Sequence, residues 1–220
     1  MASSTHFSDS DRKAIAAAVK EAETATAGEI VPVIVESSSS YAAADWKSIF
    51  FGMGTGLLLY EGYLLVFAGW VTGFWASVVG LPFFVIGGAI VARMMVHVFP
   101  TLKRLVISRS DMDAAVHDRA IKAFVDHEVF STRDRTGIVI LVSLFERRVE
   151  VFGDKGINAK VSSEDWSEVI SDIISGIKNG NATSGLVKGI ESCAKLLQQL
   201  GVEIRPDDTN ELSNMPRFEH

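Results

Sequence analysis

The hydropathy pattern of the chain is dominated by a long apolar stretch in its first half. Over about 50 residues, from Ile49 to Val98, the only residues with a formal charge at neutral pH are Glu61 and Arg93. A membrane-spanning helix takes about 20 apolar residues, so this length predicts two helices and a tight turn. A buried hairpin in a soluble protein is the alternative, which is disfavoured because soluble helices rarely stay apolar on all faces over such a length. The predicted elements are Ile49–Gly69, a turn at Trp70–Trp75 and Ala76–Val98.

The residues before this hairpin predict one helix followed by one strand. Ser8, with an acidic residue three positions later, resembles a capping box, and an apolar stripe continues from it to about Thr24. Ile30–Val35 is an almost unbroken β-branched run, which is typical of a buried strand. Because Pro32 has no amide donor, it predicts a sheet edge or a bulge at that position.

The residues after the hairpin predict a helix, two strands and two further helices. A cap residue, Ser110, precedes the first helical stripe, and Ser162 precedes the second. A continuous apolar run predicts a buried strand at Ile138–Leu144, and alternating apolar and polar residues predict a second strand at Arg147–Phe152. The short break between them predicts a β-hairpin. The last helix ends at Gly201.

The separated soluble pieces are expected to form one domain. One helix and one strand cannot bury a core alone, so the N-terminal piece must dock on the C-terminal piece. The predicted fold class is therefore α/β, with a domain of about 170 residues interrupted by a membrane hairpin. The predicted segments are 1–45 (N-terminal helix and strand), 46–110 (hairpin with basic flanks), 111–204 (the remainder of the domain) and 205–220 (an extended tail).

Charge adds an orientation to this picture. The chain has 21 basic and 27 acidic residues, a net charge of −6, which argues against a nucleic-acid partner. The positive-inside rule places both termini on the cytoplasmic side of a plasma or bacterial inner membrane. The basic flanks are expected to contact membrane lipid. The N-terminus does not resemble a signal peptide. The flanking bases are Lys47, Arg93, Lys103, Arg104 and Arg109, and the turn has none.

Two features of the hairpin suggest more than anchoring. Gly52 and Gly56 form a Gly-x-x-x-Gly spacing, which favours close helix packing either with a second copy or with the other helix of the same hairpin. Glu61 falls in mid-membrane, where an acidic side chain is costly and often functional. A slightly shifted span would instead place Glu61 near water. Another membrane protein is the expected partner.

A candidate site follows from the predicted topology. If the strands at Ile30–Val35 and Ile138–Leu144 are parallel, the carboxylates of Glu29, Asp134 and Asp154 converge at one end of the sheet. Carboxylate oxygens are suited to Ca²⁺ or Mg²⁺, and Arg135 beside such a metal would hold a phosphate. The alternative is a set of ordinary surface ion pairs.

Several short motifs outside the hairpin together carry a family resemblance: Glu21–Glu23, Thr26–Ile30, His117–Ala120, Phe124, Thr132–Gly137, Glu146–Val151, Gly153–Ile157, Trp166 and Pro206–Asp208. In this combination they resemble the TPM domain, a family also called TPM phosphatase-like. The resemblance implies an α/β/α sandwich and one of several reported family roles: weak acid phosphatase activity, calcium binding, membrane-complex maintenance or receptor assistance. The inserted hairpin departs from the single C-terminal anchor of many members.

Three functional hypotheses remain from the sequence. The first is a non-enzymatic, membrane-anchored TPM protein that assists or scaffolds a membrane complex, because no strong catalytic motif is present. The second is a metal-dependent phosphatase using Asp134, Arg135 and Asp154. The third is a component of a transport assembly, for which Glu61 is the only support.

Overall fold

The computed structural model describes residues 7–67, 80–204 and 209–219. The predicted turn Trp70–Trp75 lies outside these residues, as do the neighbouring ends of both predicted helices, the segment 205–208 and His220. The chain forms two compact units, one made of residues 1–39 and 112–220 and the other of residues 40–111.

The described part of the chain contains both helices and strands, as expected of an α/β protein. In chain order they are α1 Asp9–Glu23, β1 Glu29–Val35, α2 Ala42–Phe67, α3 Gly80–Val98, α4 Pro100–Val106, α5 Arg109–Asp126, β2 Gly137–Ser143, β3 Arg148–Gly153, α6 Lys155–Asn158, α7 Ser167–Lys178, α8 Ala182–Gln199 and β4 Arg217–Glu219.

The first unit contains a four-stranded sheet in the order β3-β2-β1-β4. β1 runs parallel to β2 and to β4, whereas β2 and β3 are antiparallel, as their predicted hairpin requires. The register pairs Ile30 with Ile138 and Ile34 with Phe218. The parallel arrangement of β1 and β2, on which the candidate site depends, is therefore confirmed.

The two faces of β1 are covered by different helices. Ile30 and Ile34 lie in one hydrophobic cluster with residues of α1, α7 and α8, and Val31 and Val33 lie in a second cluster with residues of α5. Because successive side chains of a strand point to opposite faces, the unbroken apolar run of β1 serves both clusters. The fold is the expected α/β/α sandwich.

The helix starts agree with the predicted caps at one site and shift at two others. Ser8 and Asp11 form the predicted capping box at α1. At α5 the amide of Asp111 donates to the hydroxyl of Ser108, three residues before it, so the cap is Ser108 and not Ser110. Ser162 and Asp165 hydrogen-bond each other in a turn, and α7 begins only at Ser167.

β1 lies between two partner strands, but at Pro32 it has a described partner strand on one side only, which agrees with the predicted sheet edge at that position. The Glu29 amide donates to Thr136 on the β2 side at 3.1 Å, whereas the next amide, of Ile30, donates to a side chain of α1. Amide directions alternate along a strand, so the missing donor of Pro32 faces away from β2. β4 pairs with β1 only from Val33 onward, and the proline therefore breaks no bond to β2.

The C-terminal tail was predicted to be extended, and its residues Arg217–Glu219 add to the sheet as β4, a strand that the sequence did not predict. β4 has only three residues and no periodic hydropathy pattern, so the sequence did not predict this strand.

The second unit is a helical hairpin whose two long helices pack through glycines. A Cβ atom placed on Gly52 would lie 2.4 Å from the carbonyl oxygen of Gly88, and one on Gly56 would lie 2.2 Å from that of Phe84. The Gly-x-x-x-Gly spacing is thus occupied by α3 of the same chain, as the self-packing alternative expected. An oligomer through Gly52 and Gly56 stays a prediction.

Both long helices expose their apolar side chains. Each is long and apolar enough to cross a membrane by length and composition. Glu61 lies six residues before the last described residue of α2, Arg93 lies five residues before the end of α3, and both are exposed. The most exposed apolar side chains include Phe50, Phe51, Leu58, Leu65 and Val66 of α2, and Phe83, Ile90 and Met94 of α3.

Candidate functional site

The candidate site is the end of the sheet at which β1 and β2 begin and β3 ends. The register pairs Glu29 with Gly137 and Ile138 with Gly153, so the loop before β2 and the residues after β3 meet there. The amide of Asp154 donates to the carbonyl of Gly137 at 2.9 Å. Three distant segments therefore converge, as the topology predicted.

Arg135 and Asp154 form the closest charge pair at this end. Nε of Arg135 lies 2.7 Å from Oδ2 of Asp154, and a second guanidinium nitrogen donates to Oδ1 at 3.0 Å. Asp154 is buried, and its Oδ1 also accepts the Lys155 amide at 2.7 Å, which caps α6. The pair joins the loop before β2 to the start of α6.

The backbone of the same loop is held closely. Arg135 has a φ of 57°, in the left-handed region, and its carbonyl accepts the Gly156 amide at 2.9 Å. A Cβ atom on Gly156 would lie 2.5 Å from the carbonyl oxygen of Asp134, so only glycine permits this approach. The backbone contacts and the ion pair together fix the loop in one conformation.

Glu29 and Asp134 are used differently from Asp154. Glu29 is buried, and its two carboxylate oxygens accept the amides of Glu211 and Leu212, each at 3.2 Å. Asp134 is partly exposed and lies 3.9 Å from the guanidinium of Arg133.

The expected three-carboxylate metal site does not form among the described residues. In residues 7–67, 80–204 and 209–219, no group of three His, Cys, Asp or Glu side chains is placed to hold a metal ion. Glu29 is bonded to the C-terminal segment and Asp154 to Arg135, which separates the carboxylates that sequence reasoning had grouped. The structure thus brings together Arg135 and Asp154 and leaves Glu29 and Asp134 outside that pair.

Sequence reasoning missed Glu23 as a partner of Glu29. Burial, with a smaller contribution from the charge of Glu29, raises the pKa of Glu23 to about 8. Hydrogen bonds from the Ile30 amide, at 3.1 Å, and from the Asn214 side chain oppose this rise. The available signal was the position of the two glutamates on either side of the turn between α1 and β1.

A second missed residue is Glu146, in the turn between β2 and β3. Its carboxylate is buried and accepts hydrogen bonds from the Ser37 hydroxyl, the Ser38 amide and the Ser143 hydroxyl. Ser38 also bonds Ser143 at 2.9 Å. Glu146 therefore fixes the chain where it leaves β1.

His117 and His127 are bonded to glutamates, and the one cysteine of the chain, Cys193, is buried. Nε2 of His127 lies 2.7 Å from Oε1 of Glu219, and Nδ1 of His117 lies 3.1 Å from Oε1 of Glu150. Burial raises the pKa of the Cys193 thiol to about 12, so this thiol is not a nucleophile at neutral pH.

We expect Asp154→Ala to lower the free energy of unfolding by about 2–3 kcal/mol, because it removes both the charge partner of Arg135 and the cap of α6. Chemical denaturation of the full chain in detergent measures the loss. Asp134→Ala is the matched control, and its exposed position predicts a change below about 1 kcal/mol. Equal losses in the two variants would contradict the clamping role of Asp154.

Comparison with known proteins adds a family to this geometry. The family model described as TPM domain matches residues 92–196, from the second half of α3 to near the end of α8. The N-terminal motif Thr26–Ile30 and the tail motif Pro206–Asp208 lie outside the matched residues, so the match is narrower than the resemblance suggested. No curated protein matches the chain significantly.

A solved structure shares the fold. The NMR structure of BA42 protein from the psychrophilic bacteria Bizionia argentinensis sp. nov. has a TM-score of 0.57 to this chain and is 22% identical to it. The similarity covers 97% of this chain and 95% of that chain. At this identity the likeness concerns the fold alone. The family match shows that the chain contains a TPM domain within residues 92–196, and the α/β/α sandwich agrees with that match.

Proposed function

We propose that the protein is a membrane-anchored, non-enzymatic accessory factor. In this proposal α2 and α3 span a bacterial inner membrane. The TPM domain lies on the cytoplasmic side, where it docks on another membrane protein as a scaffold or maintenance factor.

The exposed apolar surface of α2 and α3 carries the anchoring part of the proposal. Phe51 is 77% exposed, Leu65 81% and Met94 65%. Soluble monomers rarely expose continuous apolar patches of this kind, whereas lipid covers them at no cost. Helices also satisfy their own backbone groups, as a segment inside a bilayer must.

The state of the charged groups at the sheet end supports a non-enzymatic role. Asp154 and Arg135 bond each other, and both oxygens of Glu29 are engaged by backbone amides. Groups held in this way organise loops, and they would have to break these contacts before acting on a substrate. No contact among the described residues favours the phosphatase or the transport hypothesis over this role.

The orientation rests on the basic residues at one end of the hairpin. Gly52 meets Gly88 and Gly56 meets Phe84, so α2 and α3 are antiparallel, and Lys47 and Arg93 lie at the same end. Lys103 of α4 donates to the carbonyl of Ser40 at 2.8 Å, which keeps a third cation at this end. By the positive-inside rule this end faces the cytoplasm.

A topology experiment tests the proposal. We expect the full chain to resist extraction by alkaline carbonate. A reporter that works only in the cytoplasm should be active when it is fused after His220, and a reporter that works only in the exported compartment should be inactive there. Adding three lysines to the Trp70–Trp75 turn should weaken or reverse the orientation. Release of the chain by carbonate, or a reporter active only in the exported compartment, would reject the anchored cytoplasmic arrangement.

A further inference from the structure

The outer edge of β1 is covered by a short strand from the end of the chain. β4 has three residues, and each of them is only partly buried. It pairs in parallel with Val33, Ile34 and Val35 alone. Without β4, the last residues of β1 would present unpaired backbone groups at a sheet edge, which is a template for an added strand.

The edge lies between α1 on one face and α5 on the other, and both sides hold the β4 side chains. Phe218 lies 5.3 Å from the ring of Phe7, and the guanidinium carbon of Arg12 lies 4.5 Å from the Phe218 ring centre. On the opposite face, Glu219 lies 2.7 Å from both Arg119 and His127. The slot thus accepts an aromatic side chain on one face and a carboxylate on the other.

The residues before β4 extend this contact to the start of β1. The side chain of Asn210 donates to Glu23 at 3.1 Å, and Asn214 donates to the same carboxylate oxygen. The amides of Glu211 and Leu212 donate to Glu29. All of these donors precede β4, so a peptide bound in the same parallel direction would supply them from the residues before its strand.

β4 pairs with β1 through only three residues, and it stays in place because it belongs to the same chain as β1. A tethered segment acts at an effective concentration in the millimolar range, so modest contacts keep it bound. Strands added at an edge gain affinity from main-chain bonds and specificity from alternate side chains. A partner segment of the same chemistry would therefore exchange with β4.

We propose that the outer edge of β1 is a docking slot for an extended segment of a partner protein, in which an aromatic residue enters between Phe7 and Arg12 and the next residue, an acid, binds Arg119 and His127. The C-terminal segment of this chain fills the slot when the partner is absent. The inference deepens the proposed accessory function, on which it rests, by naming the surface that meets the partner.

Peptide binding tests the slot. The probe is a fluorescent peptide of residues Thr209–His220, titrated against the full chain in detergent. In a double variant, Phe218→Ser with Glu219→Gln, the tail loses its anchors. We expect this variant to bind the peptide at least tenfold more tightly than the wild type, whose own tail competes. A peptide carrying the same two substitutions should not bind.

Two further variants serve as controls for the peptide-binding result. Adding Arg119→Ala to the double variant should weaken peptide binding at least tenfold, because a charge-assisted bond is lost. If the double variant does not unfold cooperatively, the single variant Glu219→Gln replaces it, with an expected gain of at least threefold. A folded variant that binds the peptide no better than its substituted control would overturn the slot. Carbonate extraction and the fused reporter would still decide the anchoring proposal independently.

Discussion

A chain that begins at Met112 is expected to lose cooperative folding. It would lack β1, which lies between β2 and β4 and contributes to both hydrophobic clusters, and α1, which covers one of them. The remaining sheet would expose the edge of β2 and several apolar helix faces, and two isolated strands do not form a stable sheet in water. Circular dichroism during denaturant unfolding measures the result, which we expect to be a broad transition without a clear midpoint.

Joining the two pieces should restore folding. A chain of residues 1–39, a flexible Gly/Ser linker and residues 112–220 keeps every strand and helix of the first compact unit, with α5 shortened by its first three residues. We expect it to unfold in one sharp transition without detergent. The same joined chain with Ile30→Asp is the control, because it keeps the linker but buries a charge in the core. The split-domain arrangement is refuted if the fragment from Met112 unfolds as sharply as the joined chain.

The second large effect concerns pH. The pKa of Glu23 is raised from 4.5 to about 8, chiefly by burial and then by Glu29. The protonated form therefore contributes stability that is complete below pH 4.5 and is lost as the pH rises toward 8. Each pH unit in this window is worth at most about 1.4 kcal/mol, and water around the partly exposed side chain screens much of it. We expect a total loss of about 1–2 kcal/mol between pH 5 and pH 8.

Glu23→Gln should remove most of this slope, because the amide stays neutral throughout the range. At pH 8 the variant is expected to be more stable than the wild type, and near pH 5 the two should be similar. Urea denaturation of the full chain in detergent at several pH values provides the measurement. Glu21→Gln, an exposed glutamate on the same helix, is the matched control. A wild-type profile with the slope of the Glu23→Gln profile would exclude this assignment.

Local signals predicted most of the secondary structure and failed at the tail. The capping box at Ser8, the β-branched run of β1 and the break between β2 and β3 each depend on neighbouring residues. β4 has three residues without a period, and only the open edge of β1 gives it a place. Pro32 was a valid local signal, because it lies in the part of β1 that β4 does not pair with.

The candidate site was predicted in its location but not in its bonds. Parallel β1 and β2 brought the expected segments to one end of the sheet, since strand direction follows from the connection between them. The pairing within that end was not predictable from spacing. Asp154 is bonded by Arg135, and Glu29 is bonded by backbone amides of the C-terminal segment. A buried carboxylate needs hydrogen-bond donors, and only the folded chain decides which donors lie near it.

The sequence by itself determined the elements of this protein, the apolar hairpin and the division of the α/β domain around it. Periodicity, caps and apolar length act within a few turns or strands, so they are readable without a fold. The tertiary structure alone decided that β1 is central, that Gly52 and Gly56 serve the hairpin itself, that Glu23 is partly buried beside Glu29 and that β4 closes the sheet. These outcomes depend on contacts between residues far apart in the chain, where burial and the available donors select the partner.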